Sequence, residues 1–364
     1  MKQYDIAIIG AGIAGASLAA AIAPHASVAM FEAEDVPGYH ATGRSAAFWS
    51  ETYGGVGVQP LTTASGPVLR AGGFLEPLGS LHIGRTEDAR AIDAFLAAFD
   101  RTGIVLERVD PGPMVPGLRE DWTLGVIEPS SAYIDVAGLH AEYLGRARRG
   151  GVDLLLGAPL RAATRDGGRW LVETGAGTFA AAVLVNAAGA WADPVARIAG
   201  AAPVGIQAYR RTMVQLRPDP PAAASLPHVV DISGNFYFKP EPGGRLWLSP
   251  HDETAVEPGD VQPEELDVAI AIDRLEHAVD WKIAAVERRW AGLRSFAPDR
   301  LPVYGFDPVV PGFFWCAGQG GFGIQTAPAG AAVAASLLLG GAPDPMVAAI
   351  DAAPYAAERF RTVA

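Results

Sequence analysis

The sequence predicts an α/β protein, and three stretches carry that prediction. Residues 4–19 read as strand, tight turn and helix: the apolar run 6–9 ends at Gly10, Gly12 and Gly15 follow, and an alanine-rich helical pattern begins. Gly10 permits the turn, Gly12 lets backbone approach a pyrophosphate, and Gly15 lets the helix pack close to the strand. The helix start offers N–H groups and a positive dipole end to phosphates. A second apolar run, residues 27–31, ends in Glu32. A carboxylate there can accept both hydroxyls of an adenosine ribose and would repel a 2′-phosphate. Farther on, residues 152–156, 170–174 and 181–185 are strand-like, with Asp166-Gly167-Gly168 as a turn between two of them.

The chain has 364 residues, enough for two domains or one large α/β body, and half of them are hydrophobic. A net charge of −12, with no basic stripe, opposes nucleic-acid binding. Cys316 is the single cysteine, so neither an internal disulfide nor a Cys-based metal site can form. No metal is expected. The apolar N-terminal residues belong to the glycine turn rather than to a secretory signal, and no run of 18 apolar residues suggests a membrane span. The expected compartment is the cytoplasm, with or without contact at a membrane surface.

Residues 37–48 form a polar loop in which Arg44, Ser45 and backbone N–H groups suit an anion; in an ordinary loop Arg44 would simply be solvated. Residues 48–58 are aromatic, polar and glycine-rich, which suits a mobile lid or a plain surface loop. An amphipathic helix is predicted over 86–103, with Ile92, Phe95, Leu96 and Phe99 inward, and a loop-rich stretch over 106–128. Asp135 reads as the N-cap of a helix reaching about Arg149, closed by Gly150-Gly151. Residues 207–216 and 234–239 are strand candidates, and 263–286 reads as a helix, kinked or broken. Arg294 offers two parallel donors to a carboxylate and stays charged at any working pH; a structural ion pair is its other reading. Strands follow at 301–304 and 313–316, where Cys316 is most simply a small buried hydrophobe. A glycine-rich loop, 318–326, suits close approach to a flat ring and leads into a helix over 327–339.

Four of these segments, in order, resemble the FAD-dependent D-amino-acid oxidase/dehydrogenase superfamily. Thr42-Gly43-Arg44-Ser45-Ala46 resembles its flavin-contacting loop, and Val185-Asn186-Ala187-Ala188-Gly189-Ala190-Trp191 its second flavin strand. Trp290-Ala291-Gly292-Leu293-Arg294-Ser295-Phe296 resembles its substrate-arginine motif, and residues 318–326 its last flavin loop. Within the superfamily the segments look most similar to those of D-arginine dehydrogenase.

The resemblance implies a Rossmann-like FAD-binding domain built from separated segments (1–75, 132–206 and 297–364) plus an antiparallel-sheet substrate (cap) domain (76–131 and 207–296). It implies non-covalent FAD held by Gly10, Gly12, Ile13, Ala14, Gly15, Glu32, Ala33, Thr42, Gly43, Arg44, Ser45, Ala46, Ala188, Gly189, Trp191, Arg294, Gly320, Gly321, Phe322, Gly323, Ile324, Gln325 and Thr326. Covalent attachment through His40 or Cys316 is a lesser alternative. Arg294 and Arg211 would hold a substrate carboxylate, with the Tyr237 phenol beside it and Tyr53 closing over it. Phe48, Ser80 and Gly321 would face the substrate.

Two positions depart from the pattern: Phe48 stands where D-arginine dehydrogenase has a histidine, and Ser80 where it has a glutamate for a guanidinium. Losing that carboxylate removes roughly 1.5–3 kcal/mol of a charge-assisted bond and argues against a cationic substrate. The implied reaction is oxidative deamination of a neutral or apolar D-amino acid, by hydride transfer to flavin N5, to an imino acid and then a 2-oxo acid. The electron acceptor is unspecified: oxygen, a quinone or another. A secondary amine (sarcosine- or glycine-like) or a 2-hydroxy acid is the alternative substrate, and a non-catalytic flavin-binding subunit the alternative role.

Overall fold

The computed structural model describes residues 1–360. In the strand Lys2–Ile9 the apolar run 6–9 is buried on both faces, as such a run requires. Ile6 and Ile8 pack toward the helices Ile13–Ile22, Val136–Arg149 and Ala327–Leu339, while Ala7 and Ile9 pack toward the opposite layer. Leu18 and Ile22 are fully buried in the first helix, each contributing on the order of 1.5–3 kcal/mol. Lys2–Ile9 pairs in parallel with Val28–Phe31 and with Gly177–Asn186. Asp153–Leu155, the hairpin Leu160–Asp166/Arg169–Thr174, Phe313–Ala317 and Val303–Phe306 complete this eight-stranded sheet.

A ten-stranded sheet faces it and is mostly antiparallel. Its spine is Gln207–Asp219 against Lys282–Phe296, followed by Arg245–Ser249, Tyr237–Glu241, His228–Asp231, Ser80–Gly84, Leu124–Glu128 and Glu107–Val109. Thr254–Val256 flanks the spine, and Gln319–Gly320 pairs with the end of Lys282–Phe296. Phe48–Trp49, Ala132–Ile134 and Leu75–Pro77 form a small third sheet. The α/β class and the antiparallel second sheet are as expected.

Several elements follow local signals closely. Asp135 caps Val136–Arg149, its carboxylate accepting the Gly138 N–H at 2.9 Å. Ala327–Leu339 ends in Gly340 with φ +67°, a left-handed helix stop. Others differ. The stretch expected to be loop-rich contains the strands Glu107–Val109 and Leu124–Glu128. The long helix expected to 286 stops as Glu265–Glu276, and Lys282 already begins a strand. Its alanines and charged residues have helical propensity, but pairing along the whole of Gln207–Asp219 overrides it. Among the described residues no helix is long and apolar enough to cross a membrane.

Candidate active site

Between the two large sheets lies an elongated cavity enclosing about 1740 Å³ of empty space, its open mouth included. Its walls run from Glu32 and Ala33 at the end of the second strand, past the glycine turn, to Ala187–Trp191. They finish at Gly292–Ser295 and Gln319–Gly321. Gly10 has φ +103°, and a Cβ there would meet the Ala187 carbonyl oxygen at 2.5 Å. At one end the Glu32 carboxylate accepts the Ala11 N–H at 2.8 Å and the Glu34 N–H at 3.1 Å, which fixes it at the cavity wall. The Ile13 N–H at the helix start donates to Thr42 Oγ1 at 3.0 Å.

Gly12, Ile13, Ala14, Ala33, Thr42, Ser45, Ala188, Gly189, Trp191, Gly320, Gly321, Gly323 and Ile324 line this cavity. Ala46, Phe48 and Gln325 line a small adjoining pocket together with Arg294 and Gly321. Four residues expected at the cofactor lie off the wall. A Cβ on Gly15 would meet the Gly10 carbonyl oxygen at 2.0 Å, so this glycine serves helix–strand packing. The Gly43 N–H donates to the Gly38 carbonyl at 2.7 Å. Phe322 packs with Val58 and Phe296, and the Thr326 hydroxyl donates to the Phe322 carbonyl at 2.8 Å. Arg44 lines the cavity, but its guanidinium is turned to the second sheet's loops. It pairs with Asp260 at 2.5 Å and donates to the carbonyls of Val261 and Ala291. Its anion-binding reading therefore passes to Ser45 and the backbone.

At the other end stands Arg294, on Lys282–Phe296, buried to 9% exposure. Nη1 donates to the Tyr53 phenol oxygen and to the Gly321 carbonyl, both at 3.1 Å, and Nη2 to the Tyr237 phenol oxygen at 3.5 Å. Nε is buried without a partner. Burial works against this charge, but its interactions with Tyr53, Tyr237 and the nearby Asp252 carboxylate outweigh it and hold the pKa above its ordinary value. The guanidinium is thus a buried permanent cation whose hydrogen-bond partners are neutral, which suits an incoming anion.

Arg211 differs: Nε donates to the Asp252 carbonyl at 2.7 Å and Nη2 to Glu253 at 3.0 Å, so it is already paired. Its Nη1 is buried without a partner, and the residue lines the cavity.

Phe48 stacks on His228 with ring centroids 4.4 Å apart and meets the Tyr53 and Tyr237 rings edge-on. Ser80 lies behind that stack, its hydroxyl 3.2 Å from His228 Nδ1, and lines neither pocket. The sequence reading missed His228 and His251, because no local motif marks them. The parallel register of His228–Asp231 beside Ser80–Gly84 brings His228 under Phe48. His251, with φ +54°, places its ring edge-on to Tyr237 at 5.5 Å. Burial, then the nearby Arg211 charge, pushes its pKa down to about 3. His40 was weighed only as a covalent anchor. It lines the cavity, meets the Trp191 ring at a tilt with centroids 4.5 Å apart and bonds Glu34, with Nδ1 buried and unpartnered. Cys316 is buried and its thiol is pushed up to about 12, which leaves it unreactive.

The FAD dependent oxidoreductase (DAO) family matches residues 5–337. The chain belongs to this family. Human dimethylglycine dehydrogenase is 26% identical over 361 residues, 88% of this chain and 41% of that protein. The hydrogen cyanide synthase subunit HcnC of Pseudomonas aeruginosa is 27% identical over 226 residues, 60% of this chain and 51% of that protein. The chain therefore spans about half or less of these curated relatives' length. Glycine oxidase from Geobacillus kaustophilus superposes with a TM-score of 0.84 at 24% identity, covering 100% of both chains. L-proline dehydrogenase from P. horikoshii does so with 0.85 at 19%, covering 99% and 98%. These matches do not single out D-arginine dehydrogenase.

The family's cofactor is FAD, and the residues present fit it. The cavity offers an acid at one end, a glycine turn at a helix start in the middle, and small residues beside a buried cation at the other. The unpartnered His40 Nδ1 and Arg211 Nη1 add donors or acceptors along its wall.

Proposed function

We propose that this protein oxidises a small, neutral amino acid, held by its carboxylate on Arg294. The observation that carries the reading is the buried Arg294 fork, which meets only two phenols and one carbonyl. A carboxylate entering there gains a bidentate cation and phenol donors from Tyr53 and Tyr237. Fixing the carboxylate orients the substrate's Cα–H, and orientation with charge placement supplies much of such a barrier's reduction. FAD supplies the hydride acceptor. Phe48, stacked on His228 beside the Tyr53 and Tyr237 rings, gives the site an apolar wall and can neither donate nor accept a proton. Loss of hydride from Cα as the nitrogen lone pair forms the C=N bond, with a proton passing from nitrogen to solvent, gives an imino acid, which water hydrolyses to a 2-oxo acid and ammonia.

Two observations favour a small neutral side chain. Phe48, Tyr53 and Tyr237 crowd the space beside Arg294. Glu128, the buried carboxylate cross-strand from Ser80, has its oxygens taken by Ser50, Glu51 and Thr52, so it offers nothing to a cationic side chain. We favour the D configuration, as the resemblance implies. The same crowding favours a second reading, a sarcosine- or glycine-like amine, in keeping with the glycine oxidase and dimethylglycine dehydrogenase to which the chain is similar.

Kinetics of Arg294 variants test the reading. Each charge-assisted bond lost is worth about 1.5–3 kcal/mol, so Arg294→Ala should lower kcat/KM at least about a hundredfold. Arg294→Lys should restore only part of it, since lysine lacks the fork. Unchanged kcat/KM in both would remove Arg294 from substrate binding.

A further inference from the structure

We propose that Glu128 is a positioning residue for Tyr53: a buried carboxylate of the second sheet holds residues 50–52 so that the next residue's phenol meets Arg294. This rests on the proposed carboxylate-binding role of Arg294. Glu128 ends the strand Leu124–Glu128 and is fully buried. It accepts the Ser50 hydroxyl at 2.8 Å, the Glu51 N–H at 2.6 Å and the Thr52 hydroxyl at 2.6 Å. Ser130 adds a longer contact at 3.5 Å. All of these donors are neutral. Burying a carboxylate among neutral donors is costly, and an apolar residue would fill the volume without that cost. What the carboxylate provides is three consecutive anchor points on one short segment.

Gln325 grips the same segment from the opposite side. Its Oε1 accepts the Ser50 N–H at 3.3 Å, and its Nε2 donates to the Tyr53 carbonyl at 3.1 Å and to Thr62 at 2.9 Å. Glu51 is tied in turn to the hydroxyls of Thr63 and Ser130. Tyr237, the other phenol on Arg294, needs no such support because it sits in a strand of the sheet. Tyr53 lies outside any strand or helix, and the clamp gives it a strand-like fixity. The segment expected from composition to be a mobile lid is therefore a pinned wall.

The test uses the FAD-loaded full chain. Glu128→Gln keeps the shape but replaces one acceptor oxygen with an amide donor. Chymotryptic cleavage after Tyr53 should be at least tenfold faster than in the parent protein at a temperature where both are folded. In a double-mutant cycle, Glu128→Gln should lower kcat/KM about tenfold with Tyr53 present and less than twofold in a Tyr53→Phe background. Thr52→Val, which removes a donor from the other side, should reproduce both effects in smaller measure and stands in should Glu128→Gln not fold. Cleavage unchanged in both variants, or an equal kcat/KM loss in the Tyr53→Phe background, would overturn the proposal. Should Arg294 prove uninvolved with substrate, the cleavage rates still decide whether Glu128 pins the segment.

Discussion

At Gly321 a side chain would collide with the two groups on which the proposed chemistry turns. An added Cβ would lie 2.2 Å from both Arg294 Nη1 and the Tyr53 phenol oxygen. The Gly321 backbone has no left-handed φ, so the loop itself tolerates alanine. Gly321→Ala should therefore keep its fold and its FAD while kcat/KM falls at least tenfold, measured beside flavin content and Tm. Retained activity would mean that the fork does not need its present geometry. Arg294, Tyr53 and Gly321 were legible in the sequence because each sits in a short segment with its own signature. His228 and Glu128 were not. They reach the site through pairing with Ser80 from both sides, one from sequence position 228 and one from 128, and no local pattern encodes that meeting.

Among the elements, the buried histidines in and beside the second sheet carry a pH dependence. His82, His228 and His251 are held neutral there: burial lowers His82 to about 4 and His228 well below its ordinary value, and burial with Arg211 lowers His251 to about 3. Unfolding frees them to take up protons near the ordinary 6.5. Stability is thus complete above that value and is lost as pH falls toward 4, at up to about 1.4 kcal/mol per unit for each histidine. Glu128, Asp193 and Asp252 oppose this, since burial raises their pKa values and folding then favours their protonated forms as pH falls. Urea midpoints should drop between pH 7 and pH 5, and His82→Leu should flatten the drop; a midpoint independent of pH would contradict the assignment. Elements with their own punctuation, such as the helix capped by Asp135 and the helix stopped by Gly340, were readable in advance. The N-terminal half of Lys282–Phe296 was not, because its partner strand lies some seventy residues earlier and supplies the pairing that local propensity opposes.

At the scale of the whole molecule, the cavity exists only because distant segments converge. The glycine turn, the loop at 42–45, Ala187–Trp191, the end of Lys282–Phe296 and the loop at 319–324 each supply part of the wall. Arg44 binds the first sheet's loop to Asp260, and Gln319–Gly320 pairs with the second sheet, so both ends of the cavity are stitched across the two layers. Periodicity read the pieces but not this convergence, which the family resemblance supplied. We propose that the converged site takes a small neutral amino acid by its carboxylate. Anaerobic titration of the FAD-loaded protein, following loss of the oxidised flavin's long-wavelength absorbance, tests it most directly. Small neutral D-amino acids, or glycine and its N-methyl form, should bleach the flavin, while D-arginine and 2-hydroxy acids leave it oxidised. Bleaching by D-arginine in preference to these, or by no amino acid at all, would contradict that proposal.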